Sequence, residues 1–428
     1  MDIKGKYESN VQKIGLSCDA FSTGCLIMCL LFFVPYVANN GGTFVMWFLP
    51  LACIVPFAVM PLMYMAIHKY DTLLFGRYHF VMPISAFVAA PFFVMAWSAV
   101  GVGASQSCLV FFGILIFAVA IMIYRYCAFS VRARLGGVSI VDKYPVYEIV
   151  CAVGCVAAAV AFALFLRYDQ ATVYINTAYV MSGVTVLLAL AQYLITFYGI
   201  PRLGGRRVES VKSVFYSFFG GLDVKMYLSA LFFEAAYAIV AALLVYFGFV
   251  LNVGMYGIIS VAATVIVVYG ISAYFCARCI KRRSMKLSVM NIVCVTLPCG
   301  VLALLAALNK TGDGVLAGLI IAAVILGVGG AVAVRQTKLR LLTVKPRVTS
   351  GSVFILFDLT MFAAAGLALL VAAVVANVLQ WSLSVTAFIY GFAIAVVLAA
   401  VAMILCSRPK RVPASVDEVA IGTGDNEA

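Results

Sequence analysis

Charged and histidine side chains are scarce in this sequence. Of its 428 residues, 11% are charged, 65% are hydrophobic and two are histidines, and the mean hydropathy is +1.13. Soluble globular domains do not have this balance. The polar intervals are also short: the longest, 199–225, 335–350 and 407–428, are too short to bury a core. These shortages predict a polytopic membrane protein without an extramembrane domain.

Continuous apolar runs fill most of the chain. A helix needs roughly 20 apolar residues to cross the hydrocarbon core of a bilayer. Such runs lie near 15–38, 44–67, 80–100, 106–128, 147–166, 174–198, 226–250, 255–275, 287–308, 315–334, 352–378 and 384–406. The sequence therefore predicts an all-α membrane protein with about twelve transmembrane helices.

The basic residues predict the orientation of these spans. With the amino terminus inside, all but two of the 29 lysines and arginines fall in cytoplasmic segments, and the exceptions are Arg167 and Lys310. This is the positive-inside asymmetry. It predicts that both termini are cytoplasmic, in a multi-pass protein of the plasma (inner) membrane. Basic loops facing anionic lipids account for the net charge of +13, so we expect lipid contacts and no nucleic-acid partner.

The spans divide into two halves of six. The predicted organisation is an amino-terminal bundle over 1–198, a central cytoplasmic loop over 199–225, a carboxy-terminal bundle over 226–406 and a cytoplasmic tail over 407–428. Two halves of six spans each are typical of transporters that are built from repeats, although the two halves resemble each other only weakly in sequence. We expect a monomer.

The loop between the second and third spans is unusually polar. It contains the stretch YDTLLFGRYHF, residues 70–80. Gly76 can adopt turn conformations that a side chain would oppose, and Asp71 and Arg77 can pair with neighbouring helix ends. These three residues are candidate gating residues. The alternative is a solvated loop whose charges only set the topology.

Three motifs resemble a known transporter family. They are FGR at 75–77, QKIGLSCDAFSTGCLI at 12–27 and RVTSGSVFILF at 347–357. Together with the twelve spans they resemble the glycoside–pentoside–hexuronide:cation symporters, the melibiose permease group of the major facilitator superfamily. The resemblance implies alternating access, a sugar or glycoside substrate and coupling to a cation. It places Asp19 at the aspartate of the family's first helix.

Most of that family's charged site is replaced. The resemblance aligns the two sodium-holding aspartates of the second helix with Pro56 and Met60, and the sugar-contacting aspartate of the fourth helix with Tyr124. The lysine of the eleventh helix falls near Phe362 or Ala364. Sodium coupling is therefore not expected, and Tyr124 becomes a candidate substrate-binding residue.

Three carboxylates lie well inside apolar spans: Asp19, Glu234 and Asp358. Each is roughly 9–14 Å along its helix from the cytoplasmic end, and no lysine or arginine is expected at that depth. An ionised carboxylate is costly there, so we expect these acids to bind substrate or to exchange the coupling proton. The alternative is that backbone or hydroxyl donors simply hold them.

No cofactor or metal site is predicted. The pair Cys276 and Cys279 lacks further ligands, and the sequence has no phosphate-binding loop for ATP. An intramembrane enzyme would need clustered catalytic residues, whereas the spans offer isolated acids. The predicted function is therefore secondary transport of a small polar solute. A membrane sensor or scaffold derived from a transporter stays open as the alternative.

Overall fold

A computed structural model describes residues 3–40, 47, 50, 81–100, 107–136, 146–168, 172–199, 224–251, 253–280, 285–308, 313–344, 350–378 and 385–406. These residues form eleven helices. They are α1 (Ile3–Asn40), α2 (Val81–Ser98), α3 (Ser107–Gly136), α4 (Val146–Tyr168), α5 (Val173–Gly199), α6 (Val224–Val250), α7 (Met255–Cys279), α8 (Met285–Ala307), α9 (Asp313–Val344), α10 (Ser350–Val378) and α11 (Val385–Cys406).

Each helix coincides with one predicted span, which confirms the all-α class. The remaining span, 44–67, lies outside the described residues except for Trp47 and Pro50. Nine of the described helices contain a segment that is long and apolar enough to cross a membrane. The described parts of α10 and α11 contain shorter apolar segments, Leu359–Val371 and Tyr390–Leu405.

Several helices extend beyond the predicted spans. α1 begins at Ile3 instead of residue 15, and α9 ends at Val344 instead of residue 334. Hydropathy marks where the membrane ends, whereas backbone hydrogen bonding continues until the sequence opposes it. The stops agree with local chemistry, since Gly41 follows α1 and Pro346 follows shortly after α9.

The chain forms two compact units. Unit 1 comprises Met1–Cys29, Leu51–Gly221 and Val348–Leu359, and unit 2 comprises Leu30–Pro50, Leu222–Arg347 and Thr360–Ala428. Helices α2–α5 belong to unit 1, helices α6–α9 and α11 belong to unit 2, and α1 and α10 contribute to both. The predicted boundaries around the central loop stay a prediction, because residues 200–223 lie outside the described part of the chain.

Each unit has its own packing. In unit 1, α2 packs against α3 and α5, and Trp97 of α2 stacks on Tyr174 of α5. In unit 2, α6 packs against α9 and α11, and α9 also packs against α7 and α8. The buried Ser229 hydroxyl of α6 donates to the Ala402 carbonyl oxygen of α11 at 2.7 Å. The contacts of unit 2 fix α6, the helix that carries Glu234.

Helices α1 and α4 of unit 1 cross in close contact. A side chain at Gly24 would overlap the Cys151 carbonyl oxygen, so no larger residue fits there. The Cys25 thiol donates to Gly154 O at 3.3 Å, and the Cys155 thiol donates to Gly24 O at 3.0 Å. The crossing has local two-fold symmetry, with matching positions at Phe21, Gly24 and Cys25 on α1 and at Cys151, Gly154 and Cys155 on α4.

Candidate functional site

Asp19 is buried in unit 1, on α1, with 0% of its surface exposed. The Tyr147 hydroxyl of α4 donates to Asp19 Oδ2 at 3.0 Å. Asp19 precedes Gly24 of the α1–α4 crossing by between one and two turns. The crossing therefore holds the two helices together just beyond the point where the phenol meets the carboxylate.

Tyr124 of α3 lies in the same unit and is 1% exposed. Its hydroxyl donates to Gln192 Oε1 of α5 at 2.8 Å. Gln192 in turn lies beside Gly15 of α1, where an added Cβ would be 3.7 Å from Gln192 Cγ. Gly15 is one helical turn before Asp19, so the two predicted substrate-binding residues of unit 1 border the same face of α1.

Arg125 extends this polar region by one more turn. Its Nη1 donates to Thr23 Oγ1 at 3.1 Å. Gly15, Asp19 and Thr23 follow one another at four-residue intervals and so share a face of α1. At successive turns that face meets α5, α4 and α3. We call these residues and their partners the unit 1 polar site.

Glu234 belongs to unit 2, where it is 4% exposed on α6. The Thr337 hydroxyl of α9 donates to Glu234 Oε1 at 2.6 Å. Both this contact and the Tyr147–Asp19 contact join a hydroxyl to a carboxylate. Such contacts are what we expect if hydroxyl donors simply hold the buried acids in place. A hydroxyl-bound carboxylate can still exchange a proton, so the contacts fit either interpretation.

Arg335 opens the polar interval 335–350 of the sequence, yet it lies inside α9, which continues to Val344. Arg335 is 6% exposed within α9, and its Nε donates to Ile280 O, just past the end of α7, at 2.9 Å. Hydropathy ends the predicted span at the first charge. The helix continues because a buried guanidinium can satisfy the carbonyl groups left at a helix carboxyl end.

The other predicted site residues cannot be placed in these contacts. Asp358 lies in α10, but its side chain is outside the described residues. The gating candidates Asp71, Gly76 and Arg77 are also outside them. Within the described helices, no three His, Cys, Asp or Glu residues are grouped so that they could hold a metal ion.

Several solved structures are similar to the chain over nearly all of its length. The nucleoside transporter NupG (D323A mutant) has a TM-score of 0.60 at 18% identity, covering 92% of this chain and 99% of that chain. An auto-inhibited POT family peptide transporter has a TM-score of 0.69 at 10% identity, covering 95% and 99%. The major facilitator proton:xylose symporter XylE has a TM-score of 0.62 at 12% identity, covering 97% and 98%.

The chain has the major facilitator fold. No protein-family model matches the sequence, and no curated protein is significantly similar to it in sequence. At 10–18% identity the solved structures establish the fold alone. The chain is thus a multi-pass integral membrane protein with this fold, and its resemblance to the melibiose permease group stays a prediction.

Sequence reasoning missed the hydrogen-bond partners of Asp19, Tyr124 and Glu234. Tyr147, Gln192 and Thr337 supply the hydrogen bonds of the two polar regions. The sequence could have pointed to Gln192, because it is the strongly polar residue in the apolar run LLALAQYLITF. Tyr147 and Thr337 lie near predicted span ends, where tyrosine and threonine are common, so their roles depend on which helices pack together.

Proposed function

We propose that this protein is a secondary transporter that moves a small polar solute across the membrane by alternating access. The observation that carries this proposal is its similarity, over almost the full length of both chains, to solved structures described as transporters of nucleosides, peptides and xylose. Similarity over one short region would be weaker support for a transport function. The buried polar groups in both units supply chemistry that a purely structural membrane protein does not need.

We propose a sugar or glycoside-like solute. The unit 1 polar site combines a carboxylate (Asp19), phenols (Tyr124 and Tyr147) and a carboxamide (Gln192). Groups of this kind donate to and accept from hydroxyl groups. The motifs shared with the melibiose permease group favour the same substrate class.

The proposed coupling ion is a proton, carried by Asp19, Glu234 or Asp358. Sodium needs several oxygen ligands, and the resemblance puts Pro56 and Met60 where the symporter family has aspartates. Asp19 and Glu234 are each 4% exposed or less. A proton can neutralise a carboxylate inside a membrane without needing several further ligands.

Uptake into reconstituted vesicles tests the proposal. A panel of labelled sugars, glycosides and nucleosides should include a solute with saturable uptake. Replacing sodium by potassium should leave the rate unchanged, and an inward proton gradient should raise it. Asp19→Asn or Glu234→Gln should abolish the response to the gradient. Strict sodium dependence would contradict the coupling, and the absence of saturable flux for every solute would favour a sensor or scaffold.

We also propose that the 70–80 loop gates transport. A bulky β-branched residue at Gly76, or a reversed charge at Arg77, should slow uptake with little change in solute affinity, because a gate controls conformational exchange. Affinity is measured by thermal shift with the transported solute. A loss of affinity as large as the loss of rate would show that the loop contributes to binding.

A further inference from the structure

The side-chain amides of Asn291 on α8 and Gln336 on α9 are buried in unit 2. Both residues are 0% exposed. Within the described part of the chain, neither the amide nitrogen nor the amide oxygen of either residue has a hydrogen-bond partner. Buried polar atoms are almost always paired with protein, ordered water or ligand. These two amides therefore point to an occupant.

Gln336 leaves α9 on the side that faces α6 and α8. Seven residues earlier on α9 is Gly329, where an added Cβ would overlap Cys294 of α8 and lie 2.6 Å from Tyr237 Oη of α6. Positions seven residues apart on a helix differ by only about 20° in direction. Gln336 consequently faces the same two helices, two turns further along.

Asn291 lies near the level of Gln336. α8 and α9 pack together and are joined by residues 308–312 alone, so they run antiparallel. From the Cys294–Gly329 contact, Asn291 is about 4.5 Å toward the start of α8 and Gln336 about 10 Å toward the end of α9, in the same direction. Tyr237 of α6 lies at the same level, since its hydroxyl donates to Asn291 O at 3.0 Å.

Glu234 belongs to the same layer. Thr337, the neighbour of Gln336, donates its hydroxyl to Glu234 Oε1 at 2.6 Å. Glu234 also precedes Tyr237 by less than one turn of α6. A carboxylate and two carboxamides thus come from three helices into one buried layer of unit 2.

The ionisable groups around Glu234 come from several helices. Arg335 and Lys338 flank Thr337 on α9, and the Arg335 Nε is directed to Ile280 O past the end of α7. The remaining ionisable side chains on described parts of α6 and of the helices packed against it are Lys225, Tyr227, Tyr237, Tyr246, Tyr256, Tyr269, Tyr274, Cys276, Arg278, Cys279, Lys286, Cys294, Cys299 and Tyr390.

We propose that this layer is a hydrated proton-binding site. Glu234 takes up the proton, and the Asn291 and Gln336 amides hold the water molecules that deliver it. A hydronium ion in that water transfers its proton to a Glu234 oxygen and becomes water, and the reverse step releases the proton. A carboxamide suits this role because its C=O accepts from water and its NH₂ donates to water. The inference rests on the proposed function, in which a buried acid exchanges the coupling proton.

Infrared spectroscopy of the full chain in lipid vesicles tests this site directly. The C=O stretch of a protonated carboxyl group is followed against pH, and its loss in Glu234→Gln assigns the band. Gln336→Met and Asn291→Leu should each raise the midpoint pH of that band by about one unit, a tenfold change in proton affinity. The midpoint rises because the ionised carboxylate loses the water that stabilises it. Gln336→Asn keeps a carboxamide and should restore most of the original midpoint.

Thr296→Val on α8 is the matched control, because among the described residues the Thr296 hydroxyl donates to Val293 O of its own helix. It should leave the midpoint unchanged. An unchanged midpoint in both Gln336→Met and Asn291→Leu would overturn the proposal. So would a midpoint that follows sodium concentration at constant ionic strength, since a metal cation would then be the occupant. The measurement needs no solute, so a failure of transport alone would count against the proposed function and leave this result standing.

Discussion

At the scale of single residues, Asp19 and Glu234 share one arrangement. Each lies on one helix and accepts a hydrogen bond from a hydroxyl on another, Tyr147 at 3.0 Å and Thr337 at 2.6 Å. A neutral hydroxyl can donate to an ionised carboxylate and can accept from a protonated one. The arrangement therefore tolerates both charge states, whereas a fixed cation would favour the ionised one.

Removing one of these hydroxyls should show how much its hydrogen bond contributes to stability. We expect Tyr147→Phe to destabilise the protein by about 0.6 kcal/mol and by no more than about 1.7 kcal/mol, the mean and the largest value measured for hydrogen bonds between membrane helices. Thermal unfolding of the variant and of the unmodified protein measures this loss.

Tyr179→Phe is the control for that experiment, since Tyr179 is 58% exposed in the same unit. It should have little effect on stability. A Tyr147→Phe variant as stable as Tyr179→Phe would show that the Tyr147–Asp19 hydrogen bond does not stabilise the protein.

At the scale of helices, the α1–α4 crossing positions the unit 1 polar site. Gly24 and Gly154 let the two backbones approach, and the Cys25 and Cys155 thiols bind the carbonyl oxygens opposite them. Small residues at membrane helix contacts permit this kind of packing. The crossing leaves Asp19 of α1 and Tyr147 of α4 within hydrogen-bonding distance.

A methyl group at the crossing should therefore be harmful, although alanine favours helices. We expect Gly24→Ala to lower stability by about 1–3 kcal/mol, as overpacking does, because the methyl group would overlap the Cys151 carbonyl oxygen. The matched control is Gly183→Ala on α5, where an added Cβ meets nothing within 4 Å. Equal thermal stability of the two variants would show that the crossing can widen without cost.

Hydropathy predicted the existence of these helices but not their ends or contacts. Apolar runs of membrane length leave the backbone no alternative to helix, since lipid offers no hydrogen bonds. The length of an apolar run does not show how far a helix continues outside the membrane. The span that corresponds to α9 was therefore predicted to end before Arg335. Partners such as Gln192 and Thr337 could not be predicted, because they depend on which helix faces pack together.

At the scale of the whole molecule, the fold is similar to solved transporters at sequence identities of 10–18%. Membrane helices need apolar surfaces and small packing residues, and many sequences supply both. The fold could therefore be predicted from the number and spacing of spans. A substrate could not be predicted from the fold, since one fold can host many functions.

The predicted topology has a direct test. Reporter fusions at Gly5 and at Ser415 should both report the cytoplasm, because the basic residues place an even number of spans between them. Fusions at Arg167 and Lys310 should report the opposite side. A single terminus outside the cell would mean that the twelve-span prediction is wrong.

The α1–α4 crossing also imposes an order on biogenesis. The thiol of Cys25 and the carbonyl of Gly154 are 129 residues apart in the chain, so α1 leaves the ribosome long before its partner exists. At about 5–20 residues per second, the delay is on the order of ten seconds. During that interval Asp19 has no Tyr147 to meet, and water or the insertion machinery must shelter its carboxyl group. The nascent protein is therefore most exposed to misinsertion and to quality-control proteolysis before α4 has been synthesised.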